Sequence, residues 1–163
     1  MFAAATIDFH DKRAGYRELE QQLAALLAGE RDAIANQANA AALIFQALPD
    51  LNWAGFYRFT GGVLVLGPFH GKPACVRIAV GKGVCGTAMA QGQTQLVRNV
   101  HDFPGHIACD AASQSELVAP LLLRGRPLGV LDLDSPVVGR FDDEDRAGIE
   151  RLAAMLVAAS DWP

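Results

Sequence analysis

Cysteine is scarce in this sequence, and so are aromatic rings, blocks of basic residues and long apolar runs. Three cysteines in 163 residues are an odd number, so they cannot pair off into a disulfide framework. The net charge is −4 and no cluster of Lys or Arg occurs, which excludes the basic face that nucleic acid requires. No apolar run approaches the ~20 residues of a membrane helix. The opening MFAAATIDFHDKRAG lacks a basic region ahead of its apolar residues and does not read as a signal peptide. The expected location is the cytoplasm, where thiols stay reduced, with neither nucleic acid nor membrane as partner.

What is present is globular: 51% of residues are hydrophobic and 20% charged, which excludes disorder. A chain of this length buries a core without staples. Residues 1–14 read as a leader and 15–163 as one domain, with no repeat or linker dividing it. Apolar spacing predicts helices over 16–27 and 36–48 and a short one over 84–90. Strands are predicted over 53–59, 63–66, 75–80 and 95–100, then a hairpin of 116–123 and 128–134 about Arg124-Gly125-Arg126. Asp142 caps a last helix whose first turn is acidic, as the helix dipole favours. The strand connections are mostly too short for parallel crossovers. The fold class is therefore α+β, a mainly antiparallel sheet with helices packed on it.

Three groups of residues could carry chemistry. The stretch GHIACDAASQSE (105–116) places Cys109 in a polar, Gly-flanked loop beside His106 and Asp110, a setting for a reactive thiol. Cys85 opens a short helix after Gly81-Lys82-Gly83-Val84, where the dipole is expected to lower a thiol pKa, and Cys75 starts a strand. Zinc held by the three cysteines and His106 is a rival, but Cys75 and Cys85 are ten residues apart and the close Cys pairs of structural sites are missing. No metal is expected, and thiol redox chemistry, one cysteine attacking and another resolving, is favoured.

The second group is acidic. With a three-residue hairpin loop, Leu123 faces Pro127, Val118 faces Asp132 and Glu116 faces Asp134, so that Glu116, Asp132 and Asp134 share one patch. Like charges opposed across strands are destabilising and call for a cation, a shared proton or open water. The third group is aromatic. Trp53 and Tyr57 are an even number apart on one strand, share a face, and could wall a pocket for an apolar or sulfur-bearing side chain. His70, His101, His106 and Lys72 read as surface or loop residues.

Taken together, these residues resemble the free methionine-(R)-sulfoxide reductases, which are built on a single GAF domain. The likeness rests on NWAGFY (52–57), LVLGPFHGKPACVRIAVGKGVCGTA (64–88), GHIACDAASQSELVAPL (105–121), LGVLDLDS (128–135) and GRFDDED (139–145). It runs from about Tyr16 to the last helix. The resemblance implies a six-stranded antiparallel sheet and an enzyme, tied to the oxidative stress response, that reduces free methionine (R)-sulfoxide. It implies Cys109 as the attacking cysteine, Cys75 as the resolving partner that forms a disulfide with it, and Cys85 as an auxiliary thiol. Glu116, Asp132 and Asp134 would hold the substrate ammonium and hydrogen-bond the sulfoxide oxygen, with Glu116 and Asp134 counted among the catalytic groups. Trp53 and Tyr57 would surround the methyl-sulfur end. Thioredoxin would serve as external reductant with no bound cofactor, and a homodimer is expected. The rival of another class is a GAF sensor that binds a small ligand and regulates an output domain. No output domain is expected beyond the last helix, which weakens that reading.

Overall fold

A computed structural model describes residues 4–107 and 109–162. In chain order the elements are α1 (Lys12–Leu27), α2 (Ala33–Ala47), β1 (Trp53–Thr60), β2 (Val63–Gly71), β3 (Arg77–Ala79), α3 (Gly83–Gln91), β4 (Gln95–Val97), β5 (Ser115–Leu123), β6 (Arg126–Ser135) and α4 (Asp143–Ala159). The strands form one sheet in the order β3-β2-β1-β6-β5-β4, with every neighbouring pair antiparallel. No helix among the described residues is long and apolar enough to cross a membrane.

Strand alternation sorts the side chains into two cores. Ala54, Phe56, Leu117, Leu131 and Leu133 point to the face covered by α1, α2 and α4, where they meet Leu19, Leu23, Ile44, Ile149 and Leu152. The opposite face carries Trp53, Tyr57, Val118 and Val130 against Val84, Cys85 and Met89 of α3. The candidate site lies on that second, smaller face.

Capping residues move the helix starts upstream of where apolar spacing puts them. The Asp11 carboxylate accepts from Ala14 N–H, so α1 begins at Lys12, inside the stretch read as leader. Ile7 packs into the core, and the Phe9 ring meets Tyr16 edge-on at 5.4 Å. Asp32 caps α2 by accepting from Ile34 and Ala35. At α4 the expected cap is a full capping box between Asp142 and Asp145. Asp145 is fully buried, and it takes hydrogen bonds from Lys12 (2.6 Å), Tyr16 Oη (2.9 Å) and Arg140 (3.2 Å), tying α1 to α4.

Three strand limits differ from expectation. β2 runs on to Gly71 rather than stopping at Leu66, because the pairing resumes beyond a bulge opposite Phe56. The third strand is only Arg77–Ala79, so Cys75 sits in the connection before it and does not start a strand. β4 ends at Val97, and Asn99 then caps a 3₁₀ turn, Val100–Asp102.

The β5–β6 turn is two residues long, not three. Arg124 and Gly125 both have positive φ (52° and 81°), the signature of a type I′ turn, and Leu123 pairs with Arg126. A bulge at Leu128 then sets Leu121 opposite Gly129. Beyond it Val118 faces Asp132 and Glu116 faces Asp134, the pairing that a three-residue loop would have produced. Gly129 serves this bulge: its φ is 154°, and an added Cβ would lie 2.2 Å from the Tyr57 carbonyl oxygen.

Candidate active site

Strand register brings the acids and the aromatic wall into line. Trp53 of β1 pairs with Asp134 of β6, which pairs with Glu116 of β5, and in the next row Gly55 pairs with Asp132 and Asp132 with Val118. Glu116 and Asp132 are buried and Asp134 is half-buried. Burial pushes all three carboxyls well above their usual range, and mutual repulsion adds to it: Asp134 on Glu116, Glu116 on Asp132, and Asp132 on Asp134. Glu116 and Asp132 also share a hydrogen bond. Asp132 Oδ1 has no hydrogen-bond partner among the described residues. Such a cluster can retain a shared proton near neutral pH, or have its repulsion offset by a cation.

Two of the three sulfurs meet at the mouth of this cluster. Cys75 and Cys109 form a disulfide across 34 residues of sequence, with 5.8 Å between their Cα atoms. Cys109 is solvent-exposed on its loop. Cys85 corrects the expectation of a thiol activated by its helix N-terminus. It does lie in the first turn of α3, but it is buried, and burial first, then Asp132 and Glu116, push its pKa well above the ordinary thiol value. At neutral pH Cys85 is a neutral thiol beneath the acids. Its Sγ and one oxygen each of Glu116 and Asp132 lie within 4.8 Å of one another, a spacing at which a cation, or an ammonium with shared protons, could be held.

The aromatic residues wall the site, and they also hold the loop that carries Cys75. The Trp53 indole stacks on Phe69 (5.3 Å between centroids) and Tyr57 (6.0 Å), and its Nε1 donates to the Lys72 carbonyl at 3.1 Å. The Tyr57 hydroxyl donates to the Cys75 carbonyl at 3.1 Å. Burial, then the Asp132 charge, raise the Tyr57 phenol, so it remains a donor. Both hydrogen bonds anchor residues 72–75 to β1.

Asn52 and Ser113, which sequence reasoning passed over, join the site, and His106, Asp110 and Lys72 acquire partners there. His106, read as a loop residue, is mostly buried, with Nε2 3.4 Å from Glu116, and burial lowers its pKa so that it is a neutral imidazole. Asn52 Nδ2 donates to Ser113 Oγ (3.0 Å) and Asp110 Oδ2 (3.3 Å), pinning the Cys109 loop to the start of β1. Asp110 is held below its usual range by the Ala112 N–H, Asn52 and Lys72, whose ammonium lies 3.3 Å away. The Asp110-to-Ala112 hydrogen bond is an Asx turn, which the residues DAAS do announce. Nothing local announces Asn52, whose partners are distant in sequence, or the contact of His106 with Glu116.

Trp53, Tyr57, Cys85, Cys109, Glu116, Asp132 and Asp134 all line one cavity, which Cys75 closes through its bond to Cys109. With that disulfide in place the cavity measures ≈ 30 Å³. Space of that size holds a water molecule or two, against about 150 Å³ in an engineered cavity that binds benzene.

Residues 22–159 match the family model described as the GAF domain. A free methionine-R-sulfoxide reductase of Escherichia coli is 54% identical over 155 residues, 93% of this chain and 94% of that protein. The crystal structure of a free methionine-R-sulfoxide reductase from Neisseria meningitidis, in complex with its substrate, is 43% identical. It covers 98% of this chain and 95% of its own, with a TM-score of 0.93. The reduced form of the Staphylococcus aureus enzyme is 44% identical over 96% of this chain and 99% of its own, with a TM-score of 0.88.

Proposed function

The chain belongs to the free methionine-R-sulfoxide reductases of the GAF family, and on that premise we propose that it reduces free L-methionine (R)-S-oxide through a Cys109 sulfenic acid and a Cys75–Cys109 disulfide. It is an oxidoreductase acting on methionine sulfoxide. The observation that carries the mechanism is the disulfide at the mouth of an acid-lined cavity.

The chemistry follows from what each group can supply. The Cys109 thiolate attacks the sulfoxide sulfur while a protonated carboxyl of the Glu116–Asp132–Asp134 cluster gives its proton to the sulfoxide oxygen. The raised pKa values keep such a proton available near neutral pH. Asp134 is the donor and Asp132 the anchor for the substrate ammonium, whose charge offsets the repulsion among the remaining acids. Trp53 and Tyr57 enclose the methyl-sulfur end. Methionine departs, and the oxygen stays on Cys109 as a sulfenic acid. The Cys75 thiol then displaces that oxygen as water and closes the disulfide. Two thiols thus supply the two electrons that the sulfoxide takes up. A thioredoxin-type dithiol reopens the disulfide, and cytoplasmic placement and a homodimer complete the reading. Cys85, neutral and buried, keeps its proton, donates a hydrogen bond to Asp132 and does not attack.

The test is stoichiometric. Fully reduced protein is mixed with free methionine (R)-sulfoxide without reductant, and thiols and methionine are counted. The expected result is two thiols lost per methionine formed, with both restored by thioredoxin and its reductase. Ligand binding without thiol loss would instead favour a sensor.

A further inference from the structure

A second cavity, of ≈ 360 Å³, lies on the α2 side of the sheet and shares no residue with the candidate active site. The first turns of α2, the far end of β1, the start of β6 and the segment after α4 form its walls. Its volume falls in the ~300–1,000 Å³ range of small-molecule sites.

Three polar groups in it are uncommitted. Gln37 is fully buried, and neither end of its carboxamide has a hydrogen-bond partner among the described residues. Arg58 Nε is buried and equally without a partner. Among the described residues neither Arg58 nor Arg126 has a carboxylate within ion-pair distance. The two acids of the lining are already engaged: Asp32 caps α2, and Asp161 pairs with Arg31. Apart from Thr60, the rest of the wall is apolar. Ile34 and Phe59 are exposed large hydrophobics there, and the Trp162 ring is fixed by its Nε1 hydrogen bond to the Val157 carbonyl at 3.0 Å.

We propose that this cavity binds a small organic anion, a carboxylate, sulfonate or phosphate carried on an aromatic or branched apolar body. The guanidinium pair takes the anion, since planar donor forks match such groups. The Gln37 carboxamide, just beneath the lining, would have to turn toward the cavity to complete its hydrogen bonds on a polar atom of the same ligand. A bare inorganic anion would leave the apolar wall uncovered, and a neutral hydrocarbon would leave two cations unmatched.

The probe is 8-anilinonaphthalene-1-sulfonate, with N-phenyl-1-naphthylamine as its counterpart lacking the sulfonate. Fluorescence titration of the full chain is expected to show one sulfonate probe bound saturably per chain. The Arg58→Gln/Arg126→Gln variant should weaken it at least tenfold, while the neutral probe changes by less than twofold. Sulfoxide reduction by that variant, measured alongside, should be unchanged. Equal binding of the sulfonate probe to wild type and variant overturns the proposal, as does absence of saturable binding. Sedimentation showing that a second copy of the chain covers the cavity and excludes the probe also overturns it. If the double variant fails to fold, Arg126→Gln alone, at the exposed first residue of β6, must still weaken the probe. Unchanged affinity there ends the proposal.

Discussion

At the scale of single residues, reactivity is divided between an exposed sulfur and buried protons. Cys109→Ser is expected to abolish turnover. Cys75→Ser should release one methionine per chain and then stop, because the sulfenic acid has no partner; full thioredoxin-driven rates in that variant would overturn the roles given to the pair. Asp134→Asn should lower the rate more than Asp132→Asn, and the opposite order would exchange donor and anchor. The acids also set a pH dependence. Between the ordinary carboxylate range and the raised folded-state values, the unfolded chain has released these protons and the native chain has not. Stability therefore falls as pH rises through that window. Asp132→Asn removes part of the fall. Its Tm should exceed that of wild type at pH 8 and approach it at pH 4, and a gap independent of pH would show that burial does not control these groups.

At the scale of elements, the site depends on register and on two aromatic hydrogen bonds. The residues of the hairpin were enough to pair Glu116 with Asp134 and Val118 with Asp132, yet the route to that pairing was different. A two-residue turn and a bulge at Leu128 add up to the same offset as a three-residue loop. Strand alternation reports only odd or even, so it cannot tell the two routes apart. Gly129→Ala tests the observed one: a Cβ there meets backbone rather than a side chain that could move aside. A loss of about 2 kcal/mol or more in stability is expected, measured by urea unfolding. A neutral substitution would mean that the bulge is dispensable. Tyr57→Phe tests the other device. Without its hydroxyl the 72–75 loop loses its anchor at Cys75, so the first methionine should form at nearly the wild-type rate while disulfide closure, followed in single turnover, slows several-fold. Equal slowing of both steps would place Tyr57 with the substrate alone.

At the scale of the whole molecule, the sheet separates support from chemistry. The helices α1, α2 and α4 build the larger core on one face, and the acids, α3 and the cysteine-bearing loops occupy the other. With Cys75 and Cys109 joined only ≈ 30 Å³ is left in the site, and the redox state is predicted to gate it. Methionine should bind the reduced protein measurably and the oxidised protein at least tenfold more weakly by calorimetry. Equal affinities would mean that the loops reopen without reduction. What the sequence determined by itself was whatever local chemistry encodes: the element order, the Asp142 cap, the alternation that puts three acids on one face, and an odd set of cysteines fit for redox work. Its motif resemblance supplied the rest of the expected roles. Only the tertiary structure decided which surroundings each group meets. It made Cys85 a buried neutral thiol rather than an activated one, drew His106 and Asn52 into the site, and turned Trp53 and Tyr57 into anchors for a loop as well as walls. The reason is physical: desolvation and long-range hydrogen bonds depend on chain segments dozens of residues away, and no local pattern records what will be folded against it.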